Sequence, residues 1–157
     1  MNAIEIRSKV DEILSSAGIK FSVRLVGATK RDTWECDEWR VSFGKFETSY
    51  FTGTGHRKPI AGAPSDKGNP RTLYREDWER RYLKPQAPQA ADVLHSLVLD
   101  SEADGMSFRD WCDNFGYSDD SLKALEVYRQ CCATANSLRK TFKPDSLAAI
   151  REAVQDL

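Results

Sequence analysis

The chain has 157 residues, 40% of them hydrophobic and 30% charged, with a net charge of −1. One domain of ordinary size, with enough apolar residues for a core, fits these figures. They exclude a disordered chain and a strongly basic nucleic-acid binder. The near-neutral total hides a polarity: residues 1–84 carry 16 Lys/Arg against 12 Asp/Glu, and residues 85–157 carry 7 against 12.

The predicted elements begin with an amphipathic helix over 3–17, with Ile6, Val10, Ile13, Leu14 and Ala17 at spacings of three and four and Gly18 placed for a left-handed cap. The period then changes to two. Ile19, Phe21, Val23 and Leu25 alternate with polar residues and predict a half-buried strand; Ala28 to Asp32 reads as a turn. Trp34 lies ahead of a second strand, in which Trp39, Val41 and Phe43 share a core face. Gly44-Lys45 joins it to a third strand, Phe46–Phe51, as a II′-type hairpin. Residues 53–72 hold four glycines and three prolines without periodicity. Residues 73–83 predict a short helix with Tyr74, Trp78 and Tyr82 on one side, ended by Pro85 and Pro88.

The remainder reads as helical. Ala90–Leu99 buries Val93, Leu94, Leu97 and Val98. Ser107 opens a short helix carrying Phe108, Trp111, Cys112 and Phe115, with Asp110 in a capping-box-like position and Gly116 as its stop. Asp119 or Asp120 opens the longest helix, to about Thr141. Its predicted stripe is Leu122, Leu125, Tyr128, Cys132, Ala135, Leu138 and Phe142. Pro144 precedes a last helix with Leu147, Ile150 and Val154 inward. The expected fold is α+β: an N-terminal helix packed on a three-stranded antiparallel meander, then a helical C-terminal half. Residues 1–84 and 85–157 form either one packed domain or two subdomains.

Chemistry-bearing residues are sparse. Cys36, Cys112, Cys131 and Cys132 lack metal-ligand spacing. The charged opening (Glu5, Arg7, Lys9, Asp11, Glu12) is no secretory leader, so free thiols and a cytoplasmic location are expected. Thr54, Gly55, His56, Arg57 and Lys58 follow a strand in a glycine-rich loop whose backbone amides and cations could hold an anion or nucleic acid. The loop is neither a P-loop nor a dinucleotide fingerprint. His95 falls among packed helix residues, and His56 could serve a nucleophile such as Cys36 only through an approach that sequence cannot establish. No enzyme, cofactor or metal site is therefore expected. Tyr74, Arg75, Trp78 and Arg81 are residue types enriched in interface hot spots. Asp100, Glu102 and Asp104 open an acidic run continued by Asp110, Asp113, Asp119 and Asp120, suited to a basic partner; helix capping is the competing reading for several of them.

Four strings carry a resemblance: Trp34-Glu-Cys-Asp-Glu-Trp39; Phe46-x-Thr-x-Tyr-Phe-Thr-Gly-Thr-Gly-His-Arg-Lys58; Ala90-Ala-Asp-Val-Leu-His-Ser-Leu97; and Ser107-Phe-x-Asp-Trp-Cys-x-x-Phe-Gly-Tyr-Ser-x-Asp-Ser121. Together they resemble small accessory proteins encoded by phages and prophages of Gram-negative bacteria, over residues 30–142. The N-terminal helix lies outside the resemblance, and 59–72 looks like an insertion. It brings no catalytic residues. It implies a non-enzymatic accessory protein that binds and inhibits a host or defence protein, an inhibitor of CRISPR-type systems being the sharpest form. The alternative is a nucleic-acid-binding accessory protein using the 52–58 loop. In either case no membrane association is expected.

Overall fold

The computed structural model describes residues 1–31, 34–53, 59–60, 73–74 and 86–157. Helix α1 (Ala3–Ala17) is followed by strands β1 (Phe21–Arg31), β2 (Trp34–Phe43) and β3 (Phe46–Gly53) in one antiparallel sheet of order β1-β2-β3. The short strands β4 (Pro59–Ile60) and β5 (Leu73–Tyr74) pair antiparallel, Pro59 with Tyr74 and Ile60 with Leu73. Helix α2 (Ala90–Ser101), a 3₁₀ turn (Glu102–Gly105), α3 (Phe108–Phe115), α4 (Leu122–Thr141) and α5 (Pro144–Val154) complete the α+β fold.

The chain divides into two compact units. Unit 1 is Met1–Ser22, Ser42–Glu47 and Gln89–Leu157; unit 2 is Val23–Val41 and Thr48–Pro88. Unit 1 carries 11 Lys/Arg and 16 Asp/Glu, and unit 2 carries 12 and 8, so they are acidic and basic respectively.

In unit 1, α1 starts with a reciprocal capping box. Asn2 Oδ1 accepts from Glu5 N at 3.0 Å, and Glu5 Oε2 accepts from Asn2 N at 2.8 Å. These bonds satisfy amides that a helix start leaves without partners. Gly18, at φ 69°, closes the helix; a Cβ there would meet the left-handed penalty. The helix packs against α2 and α5 and buries Ile6, Val10 and Leu14. Arg7 donates to Asp92 Oδ1 of α2 at 3.2 Å. Phe43, fully buried, meets Phe21 at 5.0 Å and Phe142 at 6.1 Å between ring centroids. Gly44, at φ 61°, supplies the positive dihedral that a primed hairpin turn demands.

In unit 2, Cys36, Trp39 and Val41 are buried. The Trp39 indole N–H donates to Thr52 Oγ1 at 2.9 Å, linking β2 to β3. Arg40 donates to Ser49 Oγ at 2.9 Å, and that hydroxyl donates to Glu38 Oε1 at 3.3 Å. Buried aromatic bulk on one side of β2 and a polar ladder on the other follow from the two-residue period.

Several expectations are corrected. The stretch read as a turn at 28–32 is strand as far as Arg31, and Trp34 starts β2 rather than preceding it. Ladder hydrogen bonds use the backbone, so polar side chains do not stop a strand that has a partner. Leu25, expected inward, is exposed. Residues 53–72, read as structureless, include β4, and Leu73–Tyr74 is strand where a helix was expected; Pro59 is tolerated at the first position of a strand. The other residues of the expected 73–83 helix lie outside the described residues. Helix α4 is capped by Ser121, whose Oγ accepts from Ala124 N at 3.1 Å, not by Asp119 or Asp120. Its expected stripe is inward at Ala135 and Leu138, but its first turn buries Ala124 and leaves Leu122 84% exposed. Ala17 and Phe115 are likewise exposed.

This register makes a direct prediction. Leu138→Ala should cost about 2–5 kcal/mol in urea unfolding followed by circular dichroism. Leu122→Ala should stay within about 0.5 kcal/mol of the parent. Equal losses would contradict the register.

Candidate partner-binding face

Residues 103–132 of unit 1 hold a small core of their own. Ala103, Trp111, Cys112 and Ala124 are buried, with Met106, Phe108, Val127, Tyr128, Cys131 and Cys132 packed against them. Local chemistry sets up each piece. Ser107 Oγ accepts from Asp110 N at 3.2 Å and starts α3. Gly116, at φ 74°, ends it, and Tyr117 N donates to Cys112 O at 3.0 Å. This left-handed stop folds Tyr117 back onto the helix it follows.

Trp111 is the hub. Its ring stacks on Tyr117 at 4.9 Å and 12°, and meets Phe115 at 5.6 Å and Tyr128 at 5.6 Å in tilted geometry. Phe108 lies 5.4 Å from Tyr128. The Tyr128 hydroxyl donates to Met106 O at 2.7 Å, joining α4 to the end of the 3₁₀ turn. Offset and tilted aromatic pairs each add about 0.5–1.5 kcal/mol beyond area burial.

The outer side of this cluster is open to solvent. Phe115 is 50% exposed and Tyr117 42%, and Leu122, at the start of α4, is still more open. Seven carboxylates and one basic side chain, Arg109, lie between residues 100 and 120. Their field reaches the small core. Burial first, then Asp119 and Asp113, raise the Cys112 thiol's pKa. Burial, hydrogen bonding to Cys132, its charge and that of Asp104 raise the Tyr128 phenol's. Burial, Asp100 and Cys132 push the Cys131 thiol up to about 11. All four cysteines are free thiols, and the raised values keep Cys112 and Cys131 protonated and poorly nucleophilic near neutrality.

The residues singled out from sequence are distributed as follows. Asp100 is exposed near the end of α2, and Glu102 and Asp104 are exposed on the 3₁₀ turn. Asp104 Oδ2 accepts from Arg139 at 2.8 Å, and Arg139 also donates to Asn136 Oδ1. Tyr74 is in β5; its side chain, and Arg75, Trp78 and Arg81, lie outside the described residues, as do Thr54, Gly55, His56, Arg57 and Lys58. His95 is half-buried with Nδ1 2.8 Å from Val154 O. Cys36 is buried with Sγ 3.8 Å from Thr29 O. Among the described residues no group of three or more His, Cys, Asp or Glu is placed to hold a metal ion, and no helix is long and apolar enough to cross a membrane.

Phe115, Tyr117 and Leu122 are the members of this face that sequence reading assigned elsewhere or passed over. The signal available was their place around Gly116 and Ser121, a cap-to-cap connection too short to bury three large side chains. Compared with family models, with curated proteins and with solved structures, the chain matches none. The face therefore has to be read from its own chemistry.

The Cys131 value carries a pH prediction. A folded-state pKa above the ordinary 9.0 means that the native state holds this proton more tightly than the unfolded chain does. The stabilisation is complete below pH 9.0 and fades as pH rises through about 11. The melting-temperature difference between the parent and Cys131→Ala should shrink over that interval. Alkylation of Cys131 should be slow at neutrality and accelerate across the same range. A flat difference together with fast labelling at neutral pH would contradict the buried, acid-flanked placement.

Proposed function

We propose that this chain is a non-enzymatic binding protein that engages a basic partner through the face formed by Phe115, Tyr117 and Leu122 with Asp113, Asp119 and Asp120. The observation carrying the proposal is the solvent exposure of large apolar side chains along a predominantly acidic stretch. The helix dipole alone accounts for Asp119 and Asp120 near the start of α4. It gives no reason for leaving aromatic surface in water, where each Å² costs about 25 cal/mol. Aromatic anchors supply affinity when a partner covers them, and single-sign charge speeds encounter with a basic surface.

The resemblance of 30–142 to phage and prophage accessory proteins supplies the setting. In it the partner is a host or defence protein in the bacterial cytoplasm, and the outcome is inhibition. CRISPR-type effectors fit the chemistry, because their nucleic-acid channels present basic walls that an acidic knob can occupy. A second reading, nucleic-acid binding through the 52–58 loop, is supported by the basic balance of unit 2.

Capture from phage-infected bacterial lysate separates the two readings. The parent should retain a basic protein. Asp119→Lys/Asp120→Lys should lose it at least tenfold while unfolding as the parent does; Phe115→Ala/Tyr117→Ala should lose it as far, at a cost of about 1–3 kcal/mol in unfolding for the two ring contacts with Trp111 that it removes. An empty capture beside salt-sensitive binding of single- or double-stranded DNA would favour the second reading instead.

A further inference from the structure

Two clefts adjoin at the C-terminal end of α4, both within unit 1. One, of about 590 Å³, lies among α1, Ile19 and the start of α5 and is lined in part by Ile13, Lys9 and Lys143. The other, of about 520 Å³, is lined in part by Phe43, Phe46, Lys45 and Lys140. They share Ile19 and Thr141 and so form one continuous groove. Its lining sets four lysines against two carboxylates, Glu12 and Asp145, over apolar walls. Each cleft falls in the size range of concave sites that accept a ligand group.

This groove is the chemical complement of the face at the other end of the same helix. The face offers half-exposed rings and carboxylates; the groove offers apolar walls and ammonium groups. The 20 residues of α4 separate the two by about 30 Å at 1.5 Å per residue. A rigid helix cannot bring its own ends together, so the two surfaces can meet only between molecules.

We propose that the acidic aromatic face of one copy, with Phe115 and Tyr117 as anchors, docks into the lysine-lined groove of a second copy. The contact is heterologous, since two different surfaces of the chain pair. It pairs Asp113, Asp119 and Asp120 with Lys9, Lys45, Lys140 and Lys143, and weakens as salt screens these exposed charges. For its ligand half the proposal rests on the same face as the proposed function. Self-association then also shields that face until a basic partner displaces the second copy.

Light scattering and sedimentation of the full chain, at increasing concentration in low and high salt, test this. The average mass should rise above the monomer with concentration at low salt and fall back at high salt. Lys140→Glu/Lys143→Glu should weaken association about tenfold or more, as should Asp119→Lys/Asp120→Lys. Mixing these two variants should restore association, because the groove variant's native face meets the face variant's native groove and the two reversed surfaces are complementary as well. A parent that stays monomeric at low salt, or a groove variant that associates like the parent, overturns the proposal. A monomeric parent whose groove takes up a foreign acidic peptide overturns it too and gives the groove a different occupant. The groove variant keeps the face intact. Loss of self-association by the groove variant with partner capture retained supports both readings. Loss of capture by the face variants with their self-association intact keeps the proposed function and overturns the groove contact, whereas loss of their self-association with capture retained removes the proposed function and leaves the groove contact standing.

Discussion

The candidate face depends on the stacking of Tyr117 against Trp111. Gly116 turns the chain back at the end of α3, and the rings meet nearly parallel at 4.9 Å. Without that contact, the 116–121 connection would be held mainly by the bonds of the Gly116 and Tyr117 amides to Cys112 O, of Asp120 N to Ser118 Oγ and of Ser121 N to Ser118 O. With it, Phe115 and Tyr117 are held on opposite sides of a left-handed glycine, and the acids on either side are fixed in relation to them. A binding surface is useful only if its anchors are already ordered, because ordering them on contact subtracts from affinity.

The same acids leave a mark beneath the surface. Asp100, Asp104, Asp113 and Asp119 all act on buried or half-buried thiols and a phenol, and all act to keep the proton in place. A catalytic cysteine needs the opposite environment, one that favours thiolate. Negative potential concentrated here suits the recognition of a cation-rich surface, and Asp104 already holds one guanidinium, that of Arg139.

Local signals in the sequence carried much of the fold. Gly18 closes α1, Gly44 turns β2 into β3, Ser107 starts α3, and Pro144 opens α5; each acts over three or four residues, which is why sequence alone reveals it. Most of the α4 stripe was legible, Tyr128, Cys132, Ala135, Leu138 and Phe142 being packed or buried as their spacing implies, but its first turn was not. Leu122 and Leu125 have the spacing of a buried stripe, but the side of α4 that turns inward is decided by what packs there. The 3₁₀ turn and the Trp111 cluster select Ala124, Tyr128 and Cys132, and an 84% exposed Leu122 follows. The acidic run was visible as composition. Its aromatic partners were not, because Phe115 and Leu122 look like core residues until the tertiary neighbours are known. The extension of β1 through Thr29 and Arg31 was hidden for a similar reason: ladder bonding comes from a neighbouring strand and leaves no trace in side-chain polarity.

The central claim is that this chain works by presenting the aromatic and acidic side chains around Gly116. Amide hydrogen exchange, measured with and without a captured basic partner, tests it most directly. The account predicts new protection concentrated in residues 111–122, with little change over α1 and the buried part of α2. Protection confined to residues 52–58, with 111–122 exchanging as in the free chain, would contradict it.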